Sequence, residues 1–298
     1  MAILDTALRP AWIFETLRLW QPYTSVPILL EQAMDFTAQE LPSSIIRQRA
    51  LNQILRFYVD HSGRGARRRT LAQNVWAAYV RGYRAHVLAP AFLTHLAAGN
   101  EVAQAAGVFF HTHNRPGTEF SSAELRRFLA EQHPARRFSD ASVGAWIRTL
   151  THFQVILTGP RLGEYSVRRS LPVAGNIFPL LVYSWAGARP CAWVDPTDFR
   201  NDPILAYVDD TGFDHYWQRY AGHLWFPETQ GDGDACRQVW RLRDAEPGAM
   251  ARTLINLLTP YRRPRRYATA NTATANTATE NTAIENTATK NRATRTHA

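Results

Sequence analysis

Apolar residues recur at helical spacing along most of the chain before residue 260, and breaks in that spacing mark the predicted elements. Trp12, Ile13, Leu17 and Trp20 form one stripe, which Pro22 and Pro27 end. Ile28, Leu29, Ala33 and Phe36 form a second. Pro42-Ser43-Ser44 opens a third, with Ile45, Ile46, Leu51, Ile54, Leu55, Phe57 and Tyr58 on its apolar face. Short helices of this kind bury their stripes against each other, which predicts an N-terminal helical bundle over 1–60. His61 to Arg69, HSGRGARRR, reads as a glycine-broken basic linker. Beyond it, Leu71, Val75, Trp76, Tyr79, Val80 and Tyr83 mark one helix. Pro90, Phe92, Leu93 and Leu96 mark another, ended by Gly99-Asn100, and Val102, Ala105, Ala106, Phe109 and Phe110 a third.

The pattern then changes period. Ser121 and Glu124 have the S-x-x-E form of a capping box ahead of Leu125, Phe128 and Leu129, and Pro134 ends that helix. Ser139 or Ser142 caps a second helix with Val143, Trp146, Ile147 and Leu150 on its apolar face. Val155-Ile156-Leu157 is strand-like, Gly159-Pro160 and Gly163 are turn residues, and Tyr165 to Arg168 returns as a second strand. Helix, turn, helix, hairpin is the order of a winged helix-turn-helix, whose second helix enters a major groove.

The same order recurs. Ile177 to Trp185 reads as a buried helix, Ile204 to Val208 and Phe213 to His223 as two more, and Leu224-Trp225-Phe226 and Cys236 to Leu242 as strands around the turn-rich Glu228 to Asp234. Gly248 to Leu258 is a last helix, followed by the basic run Tyr261 to Tyr267. From Ala268 the sequence is low in complexity, with Asn at 271, 276, 281, 286 and 291 and without the central leucine that a pentapeptide β-helix would bury, so it has no core to form, which predicts disorder. The expected fold class is mainly α: a helical bundle followed by winged helix-turn-helix units with short β-hairpin wings. The expected divisions are 1–60, 61–117, 118–175, 176–260 and 261–298.

Charge gives this scaffold a partner class. The 298 residues carry a net charge of +9, of which the tail from Ala268 holds +1 (Lys290, Arg292 and Arg295 against Glu280 and Glu285). The remaining +8 favours an acidic partner, nucleic acid being the commonest. Lys290 is the only lysine, so the preference for arginine can reflect GC-rich coding as well as phosphate chemistry. The candidate DNA contacts are Arg136 and Arg137 before the second winged-unit helix, Arg148 on it, Arg161, Arg168 and Arg169 on the wing, and Arg67, Arg68 and Arg69 in the linker. Ser142 and His152 are expected to reach DNA from the start and the later part of that helix. The plainer alternative is a small helical subdomain with solvated arginines, and for the linker a solvated loop. The second winged tip is acidic, with Asp232 and Asp234, which suits protein contact better than phosphate.

Other chemistries have weaker signals. His111 and His113 form an H-x-H pair with only Glu119 nearby, read as a polar helix end rather than a metal site. Asp195, Asp198 and Asp202 cluster as carboxylates do in magnesium nucleases, but also as ordinary turn residues, and no lysine accompanies them. No nucleotide-binding glycine loop is present, and no cofactor is expected. Cys191 and Cys236 lack metal or disulfide spacing and suit a reducing cytoplasm. No signal-peptide pattern or membrane-length apolar run is found, so a soluble, cytoplasmic protein is expected.

Three passages resemble the BrxA family of bacteriophage-exclusion (BREX) defence systems. They are ETLRLWQPY…PSSIIRQRALNQILRFY, LAQNVWAAYVRGYRAHVLAPAFLTHLAAGN…ELRRFL, and FSDASVGAWIRTLTHFQVI with the distal HLWFPETQ…RQVWRLR. The match is one of pattern and order over most of residues 10–245, with extra sequence around Ser170 to Asp202 and in the tail. The resemblance implies a non-catalytic, largely helical DNA-binding component that works beside a methyltransferase and other co-encoded proteins in blocking phage replication. The alternative is a protein-interaction scaffold of the same fold, using Trp185, Trp193, Tyr216, Trp217 and Trp225, with no direct DNA binding.

Overall fold

The computed structural model describes residues 4–21, 24–59, 75–113, 115–189, 192–230, 237–243 and 247–258. The predicted linker with Arg67 to Arg69, the tip with Asp232 and Asp234, both cysteines and the repetitive tail lie outside the described residues. The described fold is mainly helical with small sheets, antiparallel except for one short parallel pair, and no helix among the described residues is long and apolar enough to cross a membrane.

The three N-terminal stripes become α1 (Pro10–Leu19), α2 (Val26–Phe36) and α3 (Ser44–Tyr58). Prolines in the first turns of α1 and α2 supply a preset φ where no N–H is needed, and Ser43 caps α3 by accepting from the Ile45 amide at 3.2 Å. The buried stripes are narrower than the apolar pattern: Ile28, Phe36, Ile45 and Ile46 lie at the surface. Helix α4 (75–82) and α5 (Ala85–Gly99) follow. Helix α5 starts ahead of the expected Pro90 and carries that proline inside it, because burial on all sides outweighs the lost backbone hydrogen bond. Tyr58 donates to the Phe92 carbonyl at 2.6 Å within an aromatic cluster with Trp76 and His95.

Asn100 ends α5 and caps α6 (Glu101–Thr112), accepting from the Val102 amide at 3.0 Å. Then come β1 (Glu119–Ser121), α7 (Ser122–Gln132), α8 (Asp140–His152), β2 (Ile156–Thr158) and β3 (Glu164–Val167), with sheet order β1-β3-β2. The predicted capping box forms at Ser121 and Glu124, with reciprocal bonds of 3.1 and 2.7 Å. Ser139, not Ser142, caps α8. In the hairpin turn Gly163 takes φ +84, a conformation that favours glycine.

The distal part runs β4 (Leu171–Pro172), α9 (Phe178–Ala188), β5 (Trp193–Val194), α10 (Pro196–Arg200), a single 3₁₀ turn (Pro203–Leu205), β6 (Val208–Asp209), α11 (Phe213–Tyr220), β7 (Trp225–Gln230), β8 (Arg237–Leu242) and α12 (Pro247–Leu258). Strand β4 pairs with β6, and the last sheet has order β5-β8-β7. The helix expected over Ile204 to Val208 is instead the 3₁₀ turn and β6. Asp202 accepts the Ile204 amide at 3.0 Å, and the Tyr207 carbonyl then accepts from Leu171 at 2.9 Å, so backbone groups a helix would pair internally go elsewhere. Twice, therefore, a helix, a lead strand, two helices and a hairpin follow in order, the second time with the 3₁₀ turn and β6 between the two helices, and each time the lead strand pairs with the last strand.

The chain up to Leu257 packs as one compact unit. Its two repeats meet at α6. Pro203 lies so close to Gly107 that a methyl there would sit 2.1 Å from the Pro203 carbonyl oxygen. Tyr207 donates to the Ala103 carbonyl at 2.8 Å and accepts from Trp146 Nε1 at 3.2 Å, all buried. A buried polar group left unpaired here costs about 1–3 kcal/mol.

G107A is accordingly expected to lower stability by about 1–3 kcal/mol in urea unfolding. G82A, with no atom within 4 Å of the added methyl, is expected to be neutral or slightly stabilising. A wild-type midpoint for G107A would contradict this packing.

Candidate nucleic-acid interface

The first repeat, residues 101–169, displays its cations outward. Between Arg115 and Arg169 there are nine arginines against five carboxylates, and all nine side chains are exposed. Three are in surface ion pairs: Arg126 with Asp140 at 3.1 Å, Arg136 with Glu101 at 3.5 Å and Arg161 with Glu164 at 3.8 Å. Such pairs contribute about 0–1 kcal/mol, so a phosphate can replace the carboxylate at little cost. Arg115, Arg127, Arg137, Arg148, Arg168 and Arg169 have no carboxylate within ion-pair distance among the described residues.

The β2–β3 hairpin is the most open part of this repeat. Arg161 is 84% exposed at its tip beside the fully exposed Leu162. Arg168 and Arg169 leave β3 with their amides bonded to the Val155 carbonyl, and the Arg168 guanidinium donates to Gln154 at 3.0 Å. Arg136 and Arg137 sit in the α7–α8 turn, as their sequence position implied.

Helix α8 corrects the expectation at Ser142 and narrows the exposed part of His152. Ser142 is 4% exposed, its hydroxyl 2.8 Å from that of Ser139, so it faces inward and cannot meet a ligand. Its position one turn into the helix looked accessible, but Val143, Trp146 and Ile147 already bury most of the circumference. His152 is half-buried against Trp12, with ring centroids 6.4 Å apart. The approach of α1 causes this: the Leu8 amide donates to Thr149 Oγ1 at 3.0 Å, and Arg9 and Trp12 both bond Glu40 at 2.8 Å close by. What α8 offers solvent is a strip of Asp140, Ala141, Gly144 and Arg148, with Thr151 and His152 partly exposed. Gly144 and Ala141 permit close approach of a backbone, and Arg148 is the one long polar side chain on that strip.

The residues considered for metal or nuclease chemistry serve the fold. His111 Nε2 lies 3.0 Å from the Asp202 carbonyl, and the His113 ring stacks on Phe109 at 4.1 Å. Asp195 accepts the Thr197 and Asp198 amides, capping α10. Asp202 accepts from Trp185 Nε1 and pairs with Arg189. No three metal-ligating side chains converge among the described residues.

The second repeat reverses the balance, with five arginines against nine carboxylates between Ala192 and Arg243. No protein-family model matches the chain, and no curated protein or solved structure is significantly similar to it.

Burial, with help from the charges of Arg9 and Arg148, holds His152 below the ordinary histidine range, and burial does the same to His95. The unfolded chain takes up these protons near pH 6.5 while the folded chain resists them. Their stability is therefore present above about pH 6.5 and is lost as pH falls through it. The urea midpoint is expected to drop between pH 7.5 and 5, and H152Q to remove part of that drop. A midpoint constant over this range would contradict the burial of both rings.

Proposed function

We propose that the chain is a non-enzymatic DNA-binding protein that holds duplex DNA through its first repeat, mainly by arginine–phosphate contacts. In this reading α6-β1-α7-α8-β2-β3 is a winged helix-turn-helix, with β2-β3 as the wing. The observation that carries it is the set of nine exposed arginines on that repeat, six of them without a carboxylate partner among the described residues. Phosphate contacts of this kind position a protein on DNA without reading sequence. With Ser142 buried and His152 half-buried against Trp12, Arg148 is the most open long side chain on α8 that can address a base edge, so sequence discrimination is expected to be slight. Leu162 beside Arg161 at the wing tip suits a minor groove, where an apolar wedge and a cation act together. The BrxA resemblance of the sequence places this activity, as a proposal, in a phage-defence assembly of the BREX type.

A second reading is favoured by the burial of α8 and by the acidic second repeat: an interaction scaffold of a defence complex that does not touch DNA. The two readings differ in salt dependence. Duplex affinity measured by fluorescence anisotropy is expected to fall steeply with salt. The triple variant R161A/R168A/R169A is expected to lose roughly tenfold to a hundredfold in affinity and about two to three units of the log–log salt slope, near 0.9 for each phosphate contact removed. Unchanged affinity and slope in that variant would sink the wing-contact assignment. No duplex binding by the wild type at low salt would favour the scaffold.

A further inference from the structure

The second repeat is acidic overall, yet it borders a cleft of about 660 Å³ lined by three arginines, Arg219, Arg243 and Arg252. The cleft lies between the end of α11, the turn before β7, the residue after β8, and α12. No carboxylate lines it among the described residues. The contrast with neighbouring arginines is direct. Arg200 pairs with Asp210 at 3.1 Å and Asp214 at 2.7 Å, and Arg241 pairs with Glu228. Arg219, Arg243 and Arg252 have no such partner among the described residues. In a region where carboxylates outnumber arginines, three cations converge where acids are missing from the described lining. Like charges gathered on one concavity repel until an anion enters.

Two of the three guanidinium groups are also fixed in advance. Arg243 donates to the His223 carbonyl at 3.1 Å, and the Arg219 guanidinium lies 5.7 Å from the Tyr220 ring centroid. Both arrangements reduce the ordering needed when a ligand arrives. Asn256 adds an amide, while Leu224 and Leu257 give an apolar patch on the same lining. A bare phosphate would fill only part of the space. Three arginines beside an apolar patch, in a volume within the range of small-ligand sites, match a phosphate ester carrying an organic group.

We infer that this cleft binds the phosphate of a nucleotide, either free or as a unit of a polynucleotide. The inference does not rest on duplex binding by the first repeat. The test uses the intact chain with two probes, ATP and a mixed-sequence duplex, and compares wild type with R243A/R252A and with R161A/R168A/R169A. R243A/R252A is expected to weaken ATP binding, duplex binding or both by at least about tenfold, with an unchanged melting temperature. Loss for ATP alone assigns a free nucleotide, and loss for the duplex alone assigns a polynucleotide backbone. The wing variant is expected to keep any ATP binding while losing duplex, which separates failure here from failure of the first-repeat reading. R252E, a charge reversal at an exposed position of α12, carries the same expectation if the double variant melts early. Wild-type affinity of the arginine variants for both probes, or no binding of either probe by the wild type, would overturn the inference.

Discussion

The close approach of α6 to the 3₁₀ turn holds the two repeats together. It requires that one helix position carry no side chain at all, because the Pro203 carbonyl occupies the space where a Cβ at Gly107 would be. With the backbones this near, Tyr207 can reach the Ala103 carbonyl, and Trp146 can reach Tyr207. Helix α8, which carries Trp146, is thereby tied to the distal half through a buried polar chain. Such chains tolerate little displacement, since every member loses a partner if one moves. The position of α8, and with it the strip that faces outward, follows from this contact.

That tie has a consequence for charge. Each repeat has the same strand order, but one has nine arginines against five carboxylates and the other five against nine. A shared topology therefore does not imply a shared partner. Where the first repeat shows cations on its β2–β3 hairpin, the second uses Glu228 on β7 to hold Arg241 on β8. Three distal cations without a carboxylate partner among the described residues gather instead at the cleft against α12. Helix α8 also meets α1 through Leu8, Trp12 and His152, so the N-terminal bundle limits which part of α8 can be approached.

Local signals in the sequence were a good guide wherever the deciding physics is local. The capping box at Ser121 and Glu124, the cap at Ser43 and the turn at Gly163 depend on neighbours a few residues away, and each forms as the spacing implied. Strands β1 and β5 escaped notice because two or three residues show no alternation; they exist through pairing with β3 and β8, which lie far along the chain. Ile204 to Val208 looked helical by composition, but Asp202 and Leu171 claim its backbone groups. Ser142 was misplaced for a related reason: a polar residue near a helix start looks exposed until the hydroxyl of Ser139 and the tertiary packing are known. Arg115, Arg126 and Arg127 were passed over although their charge was visible, since only the fold sets them on the same repeat as the β2–β3 hairpin. The arginine cleft joins residues from α11, the turn before β7, the residue after β8 and α12, a juxtaposition no spacing rule reveals.

The central claim is that duplex DNA meets the first repeat and leaves the corresponding surface of the second alone. Amide hydrogen exchange of the intact chain, with and without a mixed-sequence duplex, tests this most directly. The account predicts slowed exchange in the α7–α8 turn and over residues 156–169, and no change along β7 and β8. Binding accompanied by protection on β7 and β8, with none on the first wing, would contradict it.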